Sequence, residues 1–304
     1  MQLDLNRKAR EHRSLFQRFH RSKRTSLNLE FVLGTSLELH LLAHDAESAR
    51  RAESALLDEI DRLAAILDQR SGVSELTRWQ TTFECDAVVS PELAEVLELA
   101  NVWRATTHGA FHPAAIADAS AAELASPLWT VDQSRGVARR VSTLPVSLDA
   151  IAKGYIVSRA AARAYDRDGV SEVLLNIGGD IQHFGASHVM VGVADPRADA
   201  ENAEPLALVC LRNEALATSG GYRRGSHIID SRSGAAASKV ASASVIAPDC
   251  DTADALSTAF SVLEPAESVA LAESLPGVGC LIVDDRGGIS TSSEWNNHAS
   301  LARR

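Results

Sequence analysis

The chain has 304 residues, 45% hydrophobic and 23% charged, which excludes a disordered tail, a collagen-like polymer and a disulfide-stapled miniprotein. Its formal charge of −10 is asymmetric: residues 1–24 carry a net +6 and the remainder −16. A short basic arm on an acidic body, without a groove-reading motif, argues against nucleic acid as a partner, and no run of about 18 apolar residues is available to span a membrane.

Residues 1–25 read as a basic arm and residues 26–304 as the folded body. Leu27, Leu29, Phe31 and Leu33 alternate, as do Leu37, Leu39 and Leu41 after Gly34, which predicts two strand halves bent at the glycine. Leu56, Ile60, Leu63 and Leu67 recur at helical spacing within residues 46–69. Ser90-Pro91-Glu92 opens a second helix that ends near Thr107. A short hairpin is expected around Arg135-Gly136, then a helix from about Ala150 to Tyr165. Beyond it, β-type runs at Val173–Ile177, His188–Val193, Leu206–Leu211, Ala243–Ile246 and Cys280–Val283 are joined by helices at Thr252–Leu263 and Ala266–Leu275. This mixture lacks regular βαβ alternation, so we expect a single α+β body with two lobes rather than two independent domains.

Cysteines 85, 210, 250 and 280 are too far apart in sequence for a metal knuckle or a redox pair, and read as reduced thiols. The arm has neither an apolar signal core nor a cysteine for lipid attachment, which gives a cytoplasmic reading.

Four segments carry chemistry. In Asn176-Ile177-Gly178-Gly179-Asp180, the glycines either make a tight turn or admit a ligand to the backbone, with Asn176 and Asp180 as polar contacts. From Thr218 to Gly234, glycines, Tyr222, three arginines, His227 and Asp230 form either a plain loop or a surface for a flat ring and phosphates. Asp254 and Thr258 share a helical face at i and i+4. They suit a hard cation, or else Asp254 interacts with the helix start and Thr258 bonds back to the preceding turn. Lys153, one of only four lysines, sits in an apolar stretch and needs either Asp149 or a ligand phosphate nearby, unless it snorkels to solvent. Thr107–Pro113 adds a glycine turn with His108 and His112, which lack the H-E-x-x-H spacing of zinc sites.

In their order along the chain, these segments, together with Gly34-Thr35 and Ser74-Glu75-Leu76, resemble the FAD:protein FMN transferases, the ApbE-like flavin transferase family. The resemblance implies an ApbE-like α+β fold of mixed helices and mostly antiparallel strands that encloses FAD between two lobes, with Mg²⁺ at the diphosphate. It also implies transfer of FMN to a Thr or Ser hydroxyl of an acceptor flavoprotein with release of AMP. Position by position, Asp254, Thr258 and the Ala150 carbonyl match the metal ligands, and His227 matches the proposed base. Asn176, Gly178, Gly179, Asp180, Ser219, Gly220, Tyr222, Lys153 and Asp230 match the FAD pocket.

The sequence departs from the family pattern at Ser147-Leu148-Asp149, where Asp-Leu-Gly is usual, and at Ser231 and Ser233, where Pro and Thr are usual. An FAD-binding protein or FAD pyrophosphatase of the same fold, with little transfer, is the alternative reading. Members of this family are often periplasmic or lipid-anchored, unlike the cytoplasmic reading of this sequence.

Overall fold

The structure is a computed structural model and describes residues 23–114, 119–198, 203–220, 229–232, 235–237 and 239–301. Its backbone is an eight-stranded sheet. In sequence, the strands are β1 (Lys23–Val32), β2 (Thr35–Ala43), β6 (Val170–Ile177), β7 (Asp180–Gly185), β10 (Ala215–Ser219), β13 (Val240–Ala247), β14 (Gly279–Asp284) and β15 (Ile289–Thr291), and they neighbour one another in that order. Every strand pairing among the described residues is antiparallel.

The sheet is buried on both faces for much of its width, and this explains why several strands read as apolar runs rather than alternations. On one face Leu37, Leu39, Val173, Leu175, Ala217, Val245 and Ile282 pack into the larger core. That core is completed by helices α1 (Ala46–Leu67), α3 (Pro91–Thr106), α5 (Asp149–Tyr165) and α6 (Cys250–Phe260). On the other face Ile181, Leu216, Ile246, Leu281 and Val283 meet a smaller sheet of β8 (Val189–Val193), β9 (Ala207–Leu211) and β16 (Ala299–Leu301), with Trp295 between them. These two cores are the two lobes, and one sheet serves both.

The predicted helices stand where their caps place them. The side chains of Asp45 and Ser90 accept from Ser48 and Leu93 N–H at the starts of α1 and α3. The expected hairpin at Arg135-Gly136 joins β4 (Trp129–Asp132) to β5 (Val137–Arg140). Several boundaries move. Lys23 and Arg24 belong to β1, where they pair with Ala43 and Leu42, rather than to the basic arm. Helix α6 starts at Cys250, two residues earlier than expected, because Asp249 caps it by accepting from Thr252 N–H at 2.9 Å.

Several strands were not foreseen, two of them central in the main sheet. β7 carries buried Gln182 and His183, and β10 turns Thr218-Ser219, expected to begin a loop, into the end of a central strand. Gln182 belongs inside because its Oε1 accepts from Ser158 Oγ and from Cys250 N–H. The four cysteines are free thiols.

Candidate functional site

A cleft of about 1390 Å³ wraps over one end of the main sheet, where the turns at Gly34-Thr35 and Gly178-Gly179 and the end of β10 come together. Of the sequence-predicted residues, Asn176, Gly178, Gly179, Ser219, Gly220, Lys153, Ala150, Asp254 and Thr258 all line it. Residues as distant in the chain as Ala150 and Thr258 thereby line one cleft.

The Gly178-Gly179 turn is a two-residue hairpin loop closing the pair Ile177 and Asp180, with φ of +62° and +97°. Such a loop requires positive φ at both positions, which glycine supplies without strain. The two glycines differ in surroundings. A β-carbon on Gly178 would sit 2.6 Å from the Thr35 methyl, so the protein itself uses the space, whereas one on Gly179 would meet nothing within 4 Å and faces the open cleft. Asn176 Oδ1 accepts from Gly179 N–H at 3.0 Å, which commits this side chain to shaping the turn. Gly220 has a similar structural role at the end of β10, since a β-carbon there would lie 2.3 Å from the Ala241 carbonyl oxygen.

Asp254 is 4% exposed, and its Oδ2 accepts from Gly154 N–H at 3.1 Å. This is the amide that an α-helix assigns to the Ala150 carbonyl, so carboxylate and carbonyl converge on one donor. Asp249 caps the helix, which leaves Asp254 for the cleft. Thr258 Oγ1 lies 3.4 Å from Ser219 Oγ, which in turn lies 2.9 Å from Ser257 Oγ. Ser257 Oγ donates to the Asp254 carbonyl, so the hydrogen between the two serines comes from Ser219.

Among the described residues no three His, Cys, Asp or Glu side chains converge as a metal-ligand group. One carboxylate, one hydroxyl and a backbone carbonyl nevertheless fit a hard cation that takes the rest of its ligands from substrate phosphates and water. They do not fit a zinc site.

Lys153 departs from expectation. Its ammonium pairs with Asp180, and Asp149 instead accepts from Gln69 Nε2 at 2.7 Å. Burial alone would lower the lysine, but the carboxylates of Asp180 and Asp254 outweigh it and hold Lys153 above its ordinary value, fully charged. Asp180 thus lies behind the cleft wall rather than in it. The displaced acid of Ser147-Leu148-Asp149 remains at the cleft, where Gln69 bridges Asp149 and Ser147.

Asp230 is not among the cleft-lining residues. Its carboxylate accepts from Arg232 Nε at 3.0 Å and from Arg232 N–H at 2.9 Å. The expectations for Tyr222 and His227 lie outside the described residues. The sequence reading did not single out Gln69, Arg70 or Met190 as cleft residues. Only their approach in space identifies them, because no motif surrounds them.

His112, one of the histidines that line the cleft, has a defined tautomer. Its Nδ1 accepts from Ala114 N–H at 3.0 Å while its Nε2 faces the Leu124 carbonyl at 2.9 Å, so the proton resides on Nε2. Burial, opposed by that carbonyl, holds it below the ordinary histidine value. With both nitrogens engaged, His112 is a structural histidine.

A family model described as the ApbE family matches residues 33–282. A protein of Treponema pallidum named FAD:protein FMN transferase is 33% identical over 165 residues, which is 46% of this chain and 44% of that protein. A protein of the same name from Haemophilus influenzae is 30% identical over 180 residues, 54% of this chain and 51% of its own length. The matches therefore span about half the length of these relatives. Among solved structures, the ApbE protein of Thermotoga maritima superposes with a TM-score of 0.76 at 25% identity, over 91% of this chain and 99% of that one. The apo flavinyl transferase ApbE of Pseudomonas stutzeri gives 0.77 at 19% identity over 93% and 99%, a likeness of fold.

Proposed function

The chain belongs to the ApbE family, and from that premise we propose that it transfers FMN from FAD to a Thr or Ser hydroxyl of an acceptor protein, releasing AMP, with Mg²⁺ as cofactor. The observation that supports this reading most is that Asp254, Thr258, Ala150 and the Gly178-Gly179 turn all line one cleft, with the Asp254 carboxylate on the Gly154 amide. The names of the Treponema and Haemophilus relatives give it further support.

The residues divide the work. Asp254, Thr258 and Ala150 would hold Mg²⁺, which when bound neutralises the diphosphate and stabilises AMP as leaving group. Gly179, open to the cleft, admits the substrate to the backbone. His227 takes the proton of the acceptor hydroxyl as its oxygen bonds to the FMN phosphorus and the bond from that phosphorus to the bridging oxygen of AMP breaks.

The test is purified protein with FAD, Mg²⁺ and a Thr-containing acceptor peptide, read by mass spectrometry for an added FMN. AMP released without modified peptide would favour a pyrophosphatase, and FAD retained unchanged would favour a flavin-binding protein. The acid at Asp149, in place of the usual Asp-Leu-Gly pattern, is the feature that keeps those outcomes worth separating.

A further inference from the structure

A lysine on the wall of a cleft that accepts a diphosphate suggests a phosphate ligand, but the surroundings of Lys153 favour a different role. Its ammonium pairs with Asp180, the two side chains being 18% and 3% exposed. Turning the ammonium toward a phosphate would break a close ion pair whose carboxylate is sealed in the interior, which is unfavourable. Asp254 adds to the attraction that holds the lysine in place.

The two ends of the pair sit at informative places. Lys153 precedes Gly154, whose amide carries the Asp254 carboxylate, and follows Ala150 by three residues on α5. Asp180 is the closing residue of the Gly178-Gly179 turn.

We propose that Lys153 is a positioning residue. Through Asp180 it fastens the part of α5 that presents the Ala150 carbonyl and the Gly154 amide to the Gly178-Gly179 hairpin, and it does not ligate the substrate phosphate. The assignment rests on the reading of the cleft as an Mg²⁺ and FAD site. It goes beyond that reading in naming what sets the distance between the cation ligands and the glycine turn.

The experiment uses the full chain and three variants: Lys153→Met, Asp180→Asn, and Lys153→Met combined with Asp180→Leu. FAD affinity in Mg²⁺ is measured by calorimetry, and Tm is measured without ligand. Each single variant should weaken FAD binding by about tenfold or more. The double variant should return to within a few-fold of the parent, because neither member of the pair is left buried without the other. The Tm values should show the same coupling.

A phosphate ligand would give another pattern: the double variant would bind as weakly as Lys153→Met, while Asp180→Asn, with the ammonium released, would bind FAD at least as well as the parent. That result overturns the proposal. If the single variants do not fold, the double decides: parent-like affinity supports the positioning role, and a double that folds without binding FAD, or does not fold, overturns it. A parent that fails to bind FAD would sink the functional reading instead, and this would be evident before any variant is compared.

Discussion

Gly154 on α5 packs against Cys250 on α6 so closely that a β-carbon on the glycine would lie 2.3 Å from the Cys250 carbonyl oxygen and 2.8 Å from Asp254 Cβ. The helix crossing and the Asp254 carboxylate are therefore one arrangement. Gly154→Ala must separate the helices, and overpacking of this kind costs about 1–3 kcal/mol. We expect a lower Tm together with weaker FAD binding in Mg²⁺. A variant that lost stability yet bound FAD and metal like the parent would show that the crossing does not set the site.

Asp254 supplies the one carboxylate of the proposed cation set, so Asp254→Ala should abolish the Mg²⁺ dependence of FAD binding. Calorimetric titrations with and without Mg²⁺ check this. A metal-dependent increase in affinity of the same size in parent and variant would move the cation elsewhere.

His227→Ala should keep FAD and Mg²⁺ affinity within a few-fold while transfer to the acceptor peptide falls by roughly 10²–10⁴, the range for a lost general base. Transfer at the parent rate would rule the base assignment out.

Asp251, in the first turn of α6, is pushed up to about 7 by burial, with neighbouring Asp249 adding to the effect. A carboxyl with a folded value above its unfolded one keeps its proton more tightly in the folded state. Its stabilising contribution is thus present below the unfolded value, near 3.8, and is lost as pH rises through about 7. Asp251→Asn should flatten that decline and raise Tm at pH 8 by roughly 2–4 °C, the shift that 1 kcal/mol gives in a mid-sized domain. Thermal scans from pH 5 to 8 measure it, and parallel curves for parent and variant would contradict the assignment.

How legible this was in the sequence depended on whether a feature is local. Helices α1 and α3 could be read because apolar spacing and capping residues lie within one segment. Asp254 and Thr258 could be placed on a shared face for the same reason, four residues apart on a helix. The partner of Lys153 could not be read: Asp180 is 27 positions away, while the carboxylate nearer in sequence, Asp149, is taken by Gln69. β7 and β10 escaped because buried Gln182 and His183 break the apolar pattern in one, and small residues such as Ala215 and Ala217 give little signal in the other. The ordered set of motifs led to the family more directly than propensity led to these strands.

The sheet that both lobes share has a kinetic consequence. The cleft caps the end of one continuous ladder running from β1 to β15, so the sheet turns that line it are joined to one another by backbone hydrogen bonds, while β8 of the smaller sheet packs beside them. Moving one of those sheet turns away from its neighbour would break rungs of that ladder, a motion of the local-unfolding kind rather than an ordinary hinge opening. Under the proposed function, loading of FAD and departure of AMP would proceed through turns and side chains at the rim. The rate of exchange should accordingly respond to substitutions at the rim, and far less to substitutions in the strands behind it.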